Sequence, residues 1–249
     1  AANDIEAISF IYNIPLWLIN LWISEFGRDK TEDLCAWFNE QPKLTARINT
    51  ILIDIPQCLT MLNEQGWSVT QDSNYEDIIY INNHRGSLEK SEAFIKGYIT
   101  FMDKASMLVA RLVNPQPGER ILDCCAAPGG KSMYMATLMD NVGSLMSCDI
   151  HEHKIELMNS NADRLGASIV HTKVQDATKL PDSWNSYFDR VLVDAPCSGL
   201  GILQKKLDMR WRKQESILRE LPPLQLAILE RAAMTVKEKG YLIYSTCTL

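Results

Sequence analysis

Two cysteines of this sequence stand in short polar turns, each directly after an apolar run. Cys197 follows residues 191–193 and Asp194, and Cys247 follows residues 241–244. Turns just past strand ends are exposed and polar, and that setting favours a reactive thiolate over a buried thiol. Three other cysteines are set in apolar stretches of the sequence and are predicted to be small buried hydrophobic residues: Cys58, Cys124 and Cys148.

A pair of exposed thiols suits methylation at C5 of a pyrimidine. That carbon is too poor in electrons to attack a methyl sulfonium, whereas a thiolate that adds at C6 turns the ring into an enamine with a nucleophilic C5. A carboxylic acid near N3 would assist the addition by giving a proton, and Asp194 lies three residues before Cys197. The second thiol would help the first one leave. From the residues alone, either Cys197 or Cys247 fits either role.

The segment ILDCCAAPGGKS, residues 121–132, predicts a cofactor site where a strand turns into a helix. Gly129 and Gly130 allow a ligand to approach the backbone closely, and the helix presents its first N–H groups to that ligand. A phosphate-binding P-loop requires a glycine where this chain has Cys125, and the glycine pattern of nicotinamide-binding folds is absent. The segment therefore favours S-adenosylmethionine, with a P-loop NTPase as the alternative.

Three aspartates at strand ends complete the predicted cofactor site. Asp149 ends the second apolar run about 20 residues after the glycines, where a ribose-binding carboxylate is expected. Asp176 follows the third run and is placed to reach an adenine amine, and Asp194 follows the fourth. Taken singly, each is explained as well by a helix cap or a loop. Together they share the sheet edge at which open α/β folds bind ligands, and this favours function.

An alternation of short apolar runs and longer helical segments positions these residues. The apolar runs are residues 121–124, 145–148, 169–174, 191–193 and 241–244. Helices are predicted at residues 103–113, 131–140, 151–165 and 224–238. Such an alternation predicts a doubly wound α/β fold with a parallel sheet that is covered on both faces.

The first 95 residues predict a smaller α/β unit behind a helical segment. Helices are predicted at residues 5–26, 31–40 and 56–65, and strands at 46–53, 67–70 and 78–81. Residues 5–23 are the most apolar stretch, but Asn13, Pro15 and Asn20 interrupt them. These interruptions indicate a helical hairpin or a kinked helix rather than a membrane span.

Composition limits the partners and the compartment. A net charge of -6 argues against a protein coated in nucleic acid, yet residues 205–213, KKLDMRWRK, combine five cationic side chains with Trp211. That segment fits either RNA contact or a solvated helix face. Seven scattered cysteines do not form a disulfide framework, and they predict a reducing compartment, the cytoplasm. Cys148, His151 and His153 lack a regular ligand spacing, so no metal site is predicted.

The sequence resembles the Sun/Fmu family of RNA cytosine-C5 methyltransferases. The motifs that carry the resemblance span residues 97–249 and are LDCCAAPGGKS, CDIHEHKIELMNSNADRLGA, DRVLVDAPCSGLG, KLDMRWRK and GYLIYSTCT. The resemblance implies a Rossmann-like, S-adenosylmethionine-dependent domain preceded by a small α/β RNA-binding domain. Within the family, YNIPLWLINLWISEFG and ARIN are similar to the bacterial small-subunit rRNA enzymes. This implies ribosomal RNA as the partner, with no membrane association and with the oligomeric state left open.

The resemblance also orders the two thiols. It implies that Cys247 is the nucleophile, that Cys197 assists product release, and that Asp194 belongs to the catalytic set. It further implies cofactor contacts from one loop and three acids, namely Cys125, Ala126, Ala127, Pro128, Gly129, Gly130, Lys131, Asp149, Asp176 and Asp194.

The expected domains are a helical linker from an upstream domain at 1–26, the small α/β domain at 27–96 and the methyltransferase domain at 97–249. A chain without an initiating Met that stops after the fifth strand is expected to be a fragment lacking both ends. Two departures from the family pattern are the segments Met102-Asp103-Lys104 and Leu207-Asp208. A catalytically silent RNA-binding assembly factor with the same fold is a further alternative.

Overall fold

The protein divides into two compact units. The structure, a computed structural model, describes residues 2–249. The smaller unit contains the residues up to 42 together with 196–226 and 246–249, and the larger unit contains residues 43–195 and 227–245. The chain thus enters the smaller unit three times, and segments distant in sequence build one core there.

The smaller unit begins with a helical hairpin. Its first three helices are α1 (Ala2–Tyr12), α2 (Leu16–Phe26) and α3 (Arg28–Asn39). Asn13 adopts a left-handed φ of 52°, and the α1 and α2 segments are bent by 114°, which confirms the predicted interruption of this apolar stretch and favours a hairpin over a kinked helix. Trp22 stacks on Phe38 with the ring centroids 5.5 Å apart, in a core completed by Leu200 and Leu203. Among residues 2–249, none of the helices by itself has the length and hydropathy of a membrane span. The two helices of this bent pair reach that length and hydropathy only when they are taken together.

The larger unit starts with an antiparallel sheet of four strands in the order β2-β3-β1-β4. The elements here are β1 (Thr45–Ile48), α4 (Ile55–Glu64), β2 (Ser68–Gln71), β3 (Ile78–Asn83), α5 (Glu92–Ile95) and β4 (Ile99–Phe101). Cys58 and Leu62 of α4 pack on Ile48, Ile79 and Ile99 of the sheet. Apolar residues on one side of α4 therefore close one face of this sheet.

The predicted strand at 46–53 is wrong beyond Ile48. Asn49 turns its side chain inward, and its amide donates to the carbonyl oxygens of Gly97 (2.9 Å) and Leu165 (2.8 Å). The amide of Leu52 then donates to the Asn49 carbonyl at 3.1 Å, which closes a turn. The short elements α5 and β4 were not predicted, because a run of three or four residues is too short to show the hydrophobic periodicity of a helix or a strand.

The second half of the larger unit holds a parallel sheet of five strands in the order β7-β6-β5-β8-β9. The elements from here to the end of the chain are α6 (Lys104–Val113), β5 (Arg120–Asp123), α7 (Gly130–Leu138), β6 (Ser144–Asp149), α8 (Glu152–Leu165), β7 (Val170–Val174), β8 (Phe188–Asp194), α9 (Met209–Arg212), α10 (Ile217–Ala233) and β9 (Val236–Ser245). Short 3-10 turns follow β7 and β8. The α9 helix and the first part of α10 belong to the smaller unit.

Both faces of the parallel sheet are covered, which confirms the doubly wound α/β fold. Ile121 of β5 packs into a cluster with residues of α6, α7 and α8. The next residue, Leu122, packs into a different cluster with Ile228 and Ala232 of α10. Because successive side chains of a strand point to opposite faces, these two clusters are the two sides of the sheet.

The helix predicted at 224–238 is wrong at both ends. The α10 helix begins at Ile217 and continues through Pro222 and Pro223. It ends at Ala233, and the strand β9 begins at Val236, which pairs with Phe188 of β8. Pairing with a neighbouring strand therefore overrides the helical pattern of the last predicted turn.

Candidate functional site

Backbone hydrogen bonds and a glycine fix the conformation of the loop between β5 and α7. The amide of Ala126 donates to the Cys148 carbonyl at 2.7 Å, and the amide of Gly129 donates to the Ala126 carbonyl at 2.7 Å. Gly129 is the residue before α7 and has a left-handed φ of 96°. A Cβ there would lie 3.2 Å from Met158 Cγ and 3.3 Å from Met133 Cε. The left-handed φ and these two contacts favour glycine at this position, which directly precedes the first turn of α7.

A buried carboxyl group supports this loop from the end of β5. Asp123 is buried, and its Oδ2 accepts a hydrogen bond of 2.7 Å from the Ser132 hydroxyl. The Ser147 hydroxyl in turn donates to Ser132 at 2.9 Å. Burial raises the pKa of Asp123 to about 7. The sequence reasoning missed this network, although an aspartate closing an apolar run directly before the loop was the signal for it.

The three predicted acids lie at the carboxyl ends of β6, β7 and β8, in the larger unit. Asp149 ends β6 and is 8% exposed, and its Oδ1 accepts from the His151 amide at 3.0 Å. Asp176 follows β7 and accepts from the hydroxyl (2.7 Å) and the amide (2.9 Å) of Thr178, which lowers its pKa. It is therefore a cap of a short helical turn as well as a candidate ligand of the cofactor.

Asp194 ends β8 and is held by two groups. Lys131 Nζ lies 2.6 Å from its Oδ2, and the Ser245 hydroxyl donates to its Oδ1 at 2.8 Å. Ser245 is the residue paired with Asp194 across β8 and β9. The loop lysine and the end of the last strand together fix the orientation of this carboxylate.

The two thiols lie together in the smaller unit. Cys197 Sγ and Cys247 Sγ are 3.1 Å apart, and the amide of Cys247 donates to Cys197 Sγ at 3.2 Å. Cys247 is exposed and Cys197 is half-buried. The loop that carries Cys247 therefore places a backbone N–H on the sulfur of Cys197. The sequence prediction that both cysteines follow strand ends is confirmed by β8, which ends at Asp194, and β9, which ends at Ser245.

Two further contacts, which the sequence reasoning missed, hold the cysteine-bearing loops. The hydroxyls of Ser198 and Thr248 are 2.5 Å apart. The amide of Gly201 donates to the Cys247 carbonyl at 3.0 Å. Each loop is thus tied to the other at residues next to the thiols, which limits how far the sulfur atoms can separate.

The other cysteines are not suited to be nucleophiles. Cys35, Cys58, Cys124 and Cys148 are buried, which confirms the prediction for the last three. Burial raises the pKa of Cys58 and of Cys148 to about 12. It does the same for Cys125 in the cofactor loop. A thiol with such a pKa carries almost no thiolate at neutral pH.

Residues 205–213 are only partly exposed, because one of their five cationic side chains is buried. Arg210 is 2% exposed, and it donates to Asn39 Oδ1 at 2.7 Å and to the Phe38 carbonyl at 2.6 Å. Burial lowers its pKa. Trp211, in contrast, is 59% exposed. Arg210 therefore anchors the segment to α3, and the neighbouring residues remain at the surface.

Lys104, from the altered family segment, has a structural role. Lys104 forms an ion pair with Asp72 and donates to the Tyr80 hydroxyl at 3.1 Å, so it joins α6 to the antiparallel sheet. His151 and His153 have ring centroids 5.6 Å apart. Within residues 2–249 no three His, Cys, Asp or Glu side chains cluster as metal ligands would.

Comparison with protein-family models identifies the family of this chain. The family model described as 16S rRNA methyltransferase RsmB/F matches residues 110–249, which is more than half of the chain. This chain belongs to the RsmB/F family. The model for the ferredoxin-like domain of RsmF/B-like methyltransferases also matches, at residues 14–86. The resemblance found in the sequence is confirmed.

Individual relatives of this RsmB/F protein agree. The probable ribosomal RNA small subunit methyltransferase B of Bacillus subtilis is 40% identical over 94% of this chain and 52% of its own length. The probable enzyme of the same name from Synechocystis is 37% identical over 96% of this chain and 54% of its own. The crystal structure of PH0851 has a TM-score of 0.92 and 33% identity, over 98% of this chain and 55% of that one. The chain thus spans about half the length of these relatives.

RsmB/F proteins are S-adenosylmethionine-dependent methyltransferases, and the larger unit fits that cofactor. A Cβ at Gly129 would lie within 3.3 Å of two methionine side chains, and the residue carrying it would have to take a left-handed φ, and the N–H groups at the start of a helix suit a polar ligand. Asp149 and Asp176 follow the neighbouring strands β6 and β7, at the sheet edge where open α/β folds bind their ligands. The predicted contacts of individual residues with the cofactor stay predictions.

Proposed function

We propose that this protein methylates C5 of a cytosine in small-subunit ribosomal RNA through a transient bond between Cys247 and C6 of the base. The single observation that carries the proposal is the pair of thiols 3.1 Å apart, with the Cys247 amide on Cys197 Sγ. Methyl transfer to nitrogen or oxygen requires no thiol, whereas transfer to an unactivated pyrimidine C5 requires a nucleophile and a base. Two adjacent thiols supply both.

The reaction begins with addition of the Cys247 thiolate to C6. The Sγ–C6 bond forms while N3 takes a proton, and the ring becomes an enamine whose C5 is nucleophilic. Asp194, oriented by Lys131 and Ser245, is the carboxyl group that we assign to N3. S-adenosylmethionine supplies the methyl group that C5 takes.

The second half of the reaction restores the aromatic ring. Cys197 accepts the proton from C5, the electron pair of that C–H bond forms the C5–C6 double bond, the Cys247 Sγ–C6 bond breaks with its electron pair on sulfur, and N3 returns the proton that it took to Asp194. Cys197 Sγ lies 3.1 Å from the Sγ atom that is bonded to C6, so it is placed near the C5 proton that must be removed. This division follows the roles that the family resemblance implies, and the greater exposure of Cys247 supports it.

Residues outside the catalytic set would bind the RNA. We assign this task to the small α/β domain at 27–96, behind the helical linker at 1–26, and the chemistry to residues 97–249. RNA enzymes that act on a base usually extrude it from its stack, and the flanking nucleotides are held by stacking and by cations. Residues 205–213 offer both kinds of group.

Nucleoside analysis of the product tests this function. The protein is incubated with methyl-labelled S-adenosylmethionine and small-subunit rRNA, and the RNA is digested to nucleosides and separated. We expect label in 5-methylcytidine and none with Cys247→Ala. Label in a different nucleoside would refute the chemistry, and RNA binding without any labelled nucleoside would favour a silent assembly factor.

A further inference from the structure

A shallow pocket on the smaller unit has two exposed aromatic side chains in its wall. Its volume is about 330 Å³, and it is lined by Glu6, Ser9, Phe10, Asn13, Leu16 and Trp211. Phe10 is 88% exposed and Trp211 is 59% exposed. Exposed aromatic side chains that line one concave site are typical of ligand binding rather than of a solvated surface.

Arg210, the residue before Trp211, fixes the side of the pocket that contains Trp211. Arg210 directs its guanidinium inward to Asn39 and Phe38, and its Nη1 also lies 3.3 Å from the Tyr12 carbonyl. Tyr12 is the last residue of α1, which carries Phe10. The buried arginine therefore joins the Trp211 segment directly to the helix that forms the other side of the pocket.

The floor of the pocket is also held by local hydrogen bonds. The Ser9 hydroxyl donates to the Ile14 carbonyl at 2.6 Å, and Ile14 is fully buried. Asn13 takes the left-handed φ of 52° that turns α1 into α2. The pocket is thus present before any ligand arrives, which reduces the entropy cost of binding.

The cationic side chains in the Trp211 segment suit one kind of ligand. Lys205, Lys206 and Arg212 are exposed in the same segment, and Asp208, 3.2 Å from Arg212, is its one acidic residue. Cations next to an aromatic face are the combination that binds a nucleic-acid strand, because the phosphates meet the cations while a base stacks on the ring. A protein partner with an apolar surface would not require this excess of cations.

We propose that this pocket holds one unpaired base of an RNA strand, stacked on Phe10 and Trp211, while adjacent phosphates contact Lys206 and Arg212. The inference rests on the proposed function, and it adds a specific subsite for the substrate strand. Glu6 at the pocket has only acceptor oxygens, so a base with an exocyclic amine suits it.

The test measures the affinity of the full chain for a short labelled oligocytidylate by fluorescence anisotropy. Phe10→Ala and Trp211→Ala should each weaken binding by roughly 5- to 100-fold, the range of one base stacked on one ring. Trp211→Phe keeps an aromatic face and should retain most of the affinity. Ile11→Ala is the matched control, since Ile11 is 68% exposed on the same helix but does not line the pocket.

Several outcomes would overturn the subsite. Wild-type affinity in both Phe10→Ala and Trp211→Ala, or an equal loss in Ile11→Ala, would remove base stacking as the role of this pocket. Dissociation of a dimer by Phe10→Ala, seen in sedimentation, with unchanged RNA affinity would assign the pocket to a second copy of the chain. S-adenosylhomocysteine affinity should be the same in all variants. Production of 5-methylcytidine by the wild type is a separate readout, so failure of the subsite and failure of the proposed function are distinguishable.

Discussion

Cys197 Sγ and Cys247 Sγ lie 3.1 Å apart although 50 positions separate the two residues in the chain. The strands that precede them explain this: β8 and β9 are parallel neighbours, with Asp194 paired to Ser245 and the Ala195 amide donating to the Ser245 carbonyl at 2.9 Å. Two parallel neighbouring strands end at the same edge of a sheet. The residues that follow them in sequence therefore begin from adjacent positions.

Gly201 should be required for the position of Cys247. A Cβ at Gly201 would lie 3.0 Å from the Cys247 carbonyl oxygen, which already accepts the Gly201 amide. Gly201→Ala must push this carbonyl away, and a displacement of the nucleophile by a few tenths of an ångström should slow methylation on the order of tenfold. Single-turnover methylation is the measurement, and S-adenosylhomocysteine affinity, which should not change, is the control. An unaltered rate would show that the Cys247 loop tolerates the shift.

Asp123 should make the stability of the protein depend on pH. Burial raises its pKa to about 7 from an ordinary value of 3.8, with Lys131 acting against the shift and Asp194 adding to it. The folded state then holds this proton more tightly than the unfolded state does. The resulting stabilisation is complete below about pH 4 and is lost as the pH rises through 7. Over this range the free energy of unfolding should fall by at most about 4 kcal/mol.

The variant Asp123→Asn isolates this effect because its amide stays neutral and still accepts from Ser132. Its free energy of unfolding relative to the wild type should therefore increase between pH 5 and pH 8. Urea unfolding at the two pH values measures the difference. Parallel pH dependences of the two proteins would mean that Asp123 ionises normally in the folded state.

Arg47 should stabilise the protein by its packing rather than by its charge. It is fully buried on β1, lies 5.0 Å from the ring centroid of Tyr134 in α7, and donates to Thr137 Oγ1 at 3.1 Å. Its Nε and Nη2 have no hydrogen-bond partner in the part of the chain that the structure describes. Burial lowers its pKa to about 10.

The two substitutions Arg47→Ala and Arg47→Met separate packing from charge. Alanine leaves a cavity and should reduce the free energy of unfolding by roughly 3 kcal/mol. Methionine fills much of the space without a buried charge, and it should lie within about 1 kcal/mol of the wild type. Urea midpoints at one pH give both values. A loss with methionine as large as with alanine would show that the guanidinium itself is required.

The parallel sheet and the placement of the thiols were predictable because each rests on a local signal. Apolar runs that alternate with helical segments specify a parallel sheet, and a cysteine three or four residues past such a run follows the end of a strand. The same reasoning placed Asp149 and Asp194 at strand ends. Their roles toward cofactor and RNA stay predictions.

The features that could not be predicted depend on contacts between distant segments. Arg210 is predicted from KKLDMRWRK to be a surface cation, but it is buried, and its Nη1 and Nη2 donate to carbonyl oxygens of α1 and α3. The strand at 46–53 stops at Ile48 because Asn49 bonds to Gly97 and Leu165, far along the chain. No local pattern in the sequence reports such partners.

The most direct test of the covalent mechanism uses RNA that contains 5-fluorocytidine in place of cytidine. Fluorine at C5 cannot leave as a proton does, so the bond between Cys247 and C6 should persist and give a protein–RNA complex that survives a denaturing gel. We predict this complex for the wild type, its absence in Cys247→Ala, and in Cys197→Ala a complex even with ordinary RNA. A complex that persists in Cys247→Ala but is lost in Cys197→Ala would reverse the two roles. A wild-type protein that makes 5-methylcytidine yet never forms the complex would contradict covalent catalysis itself.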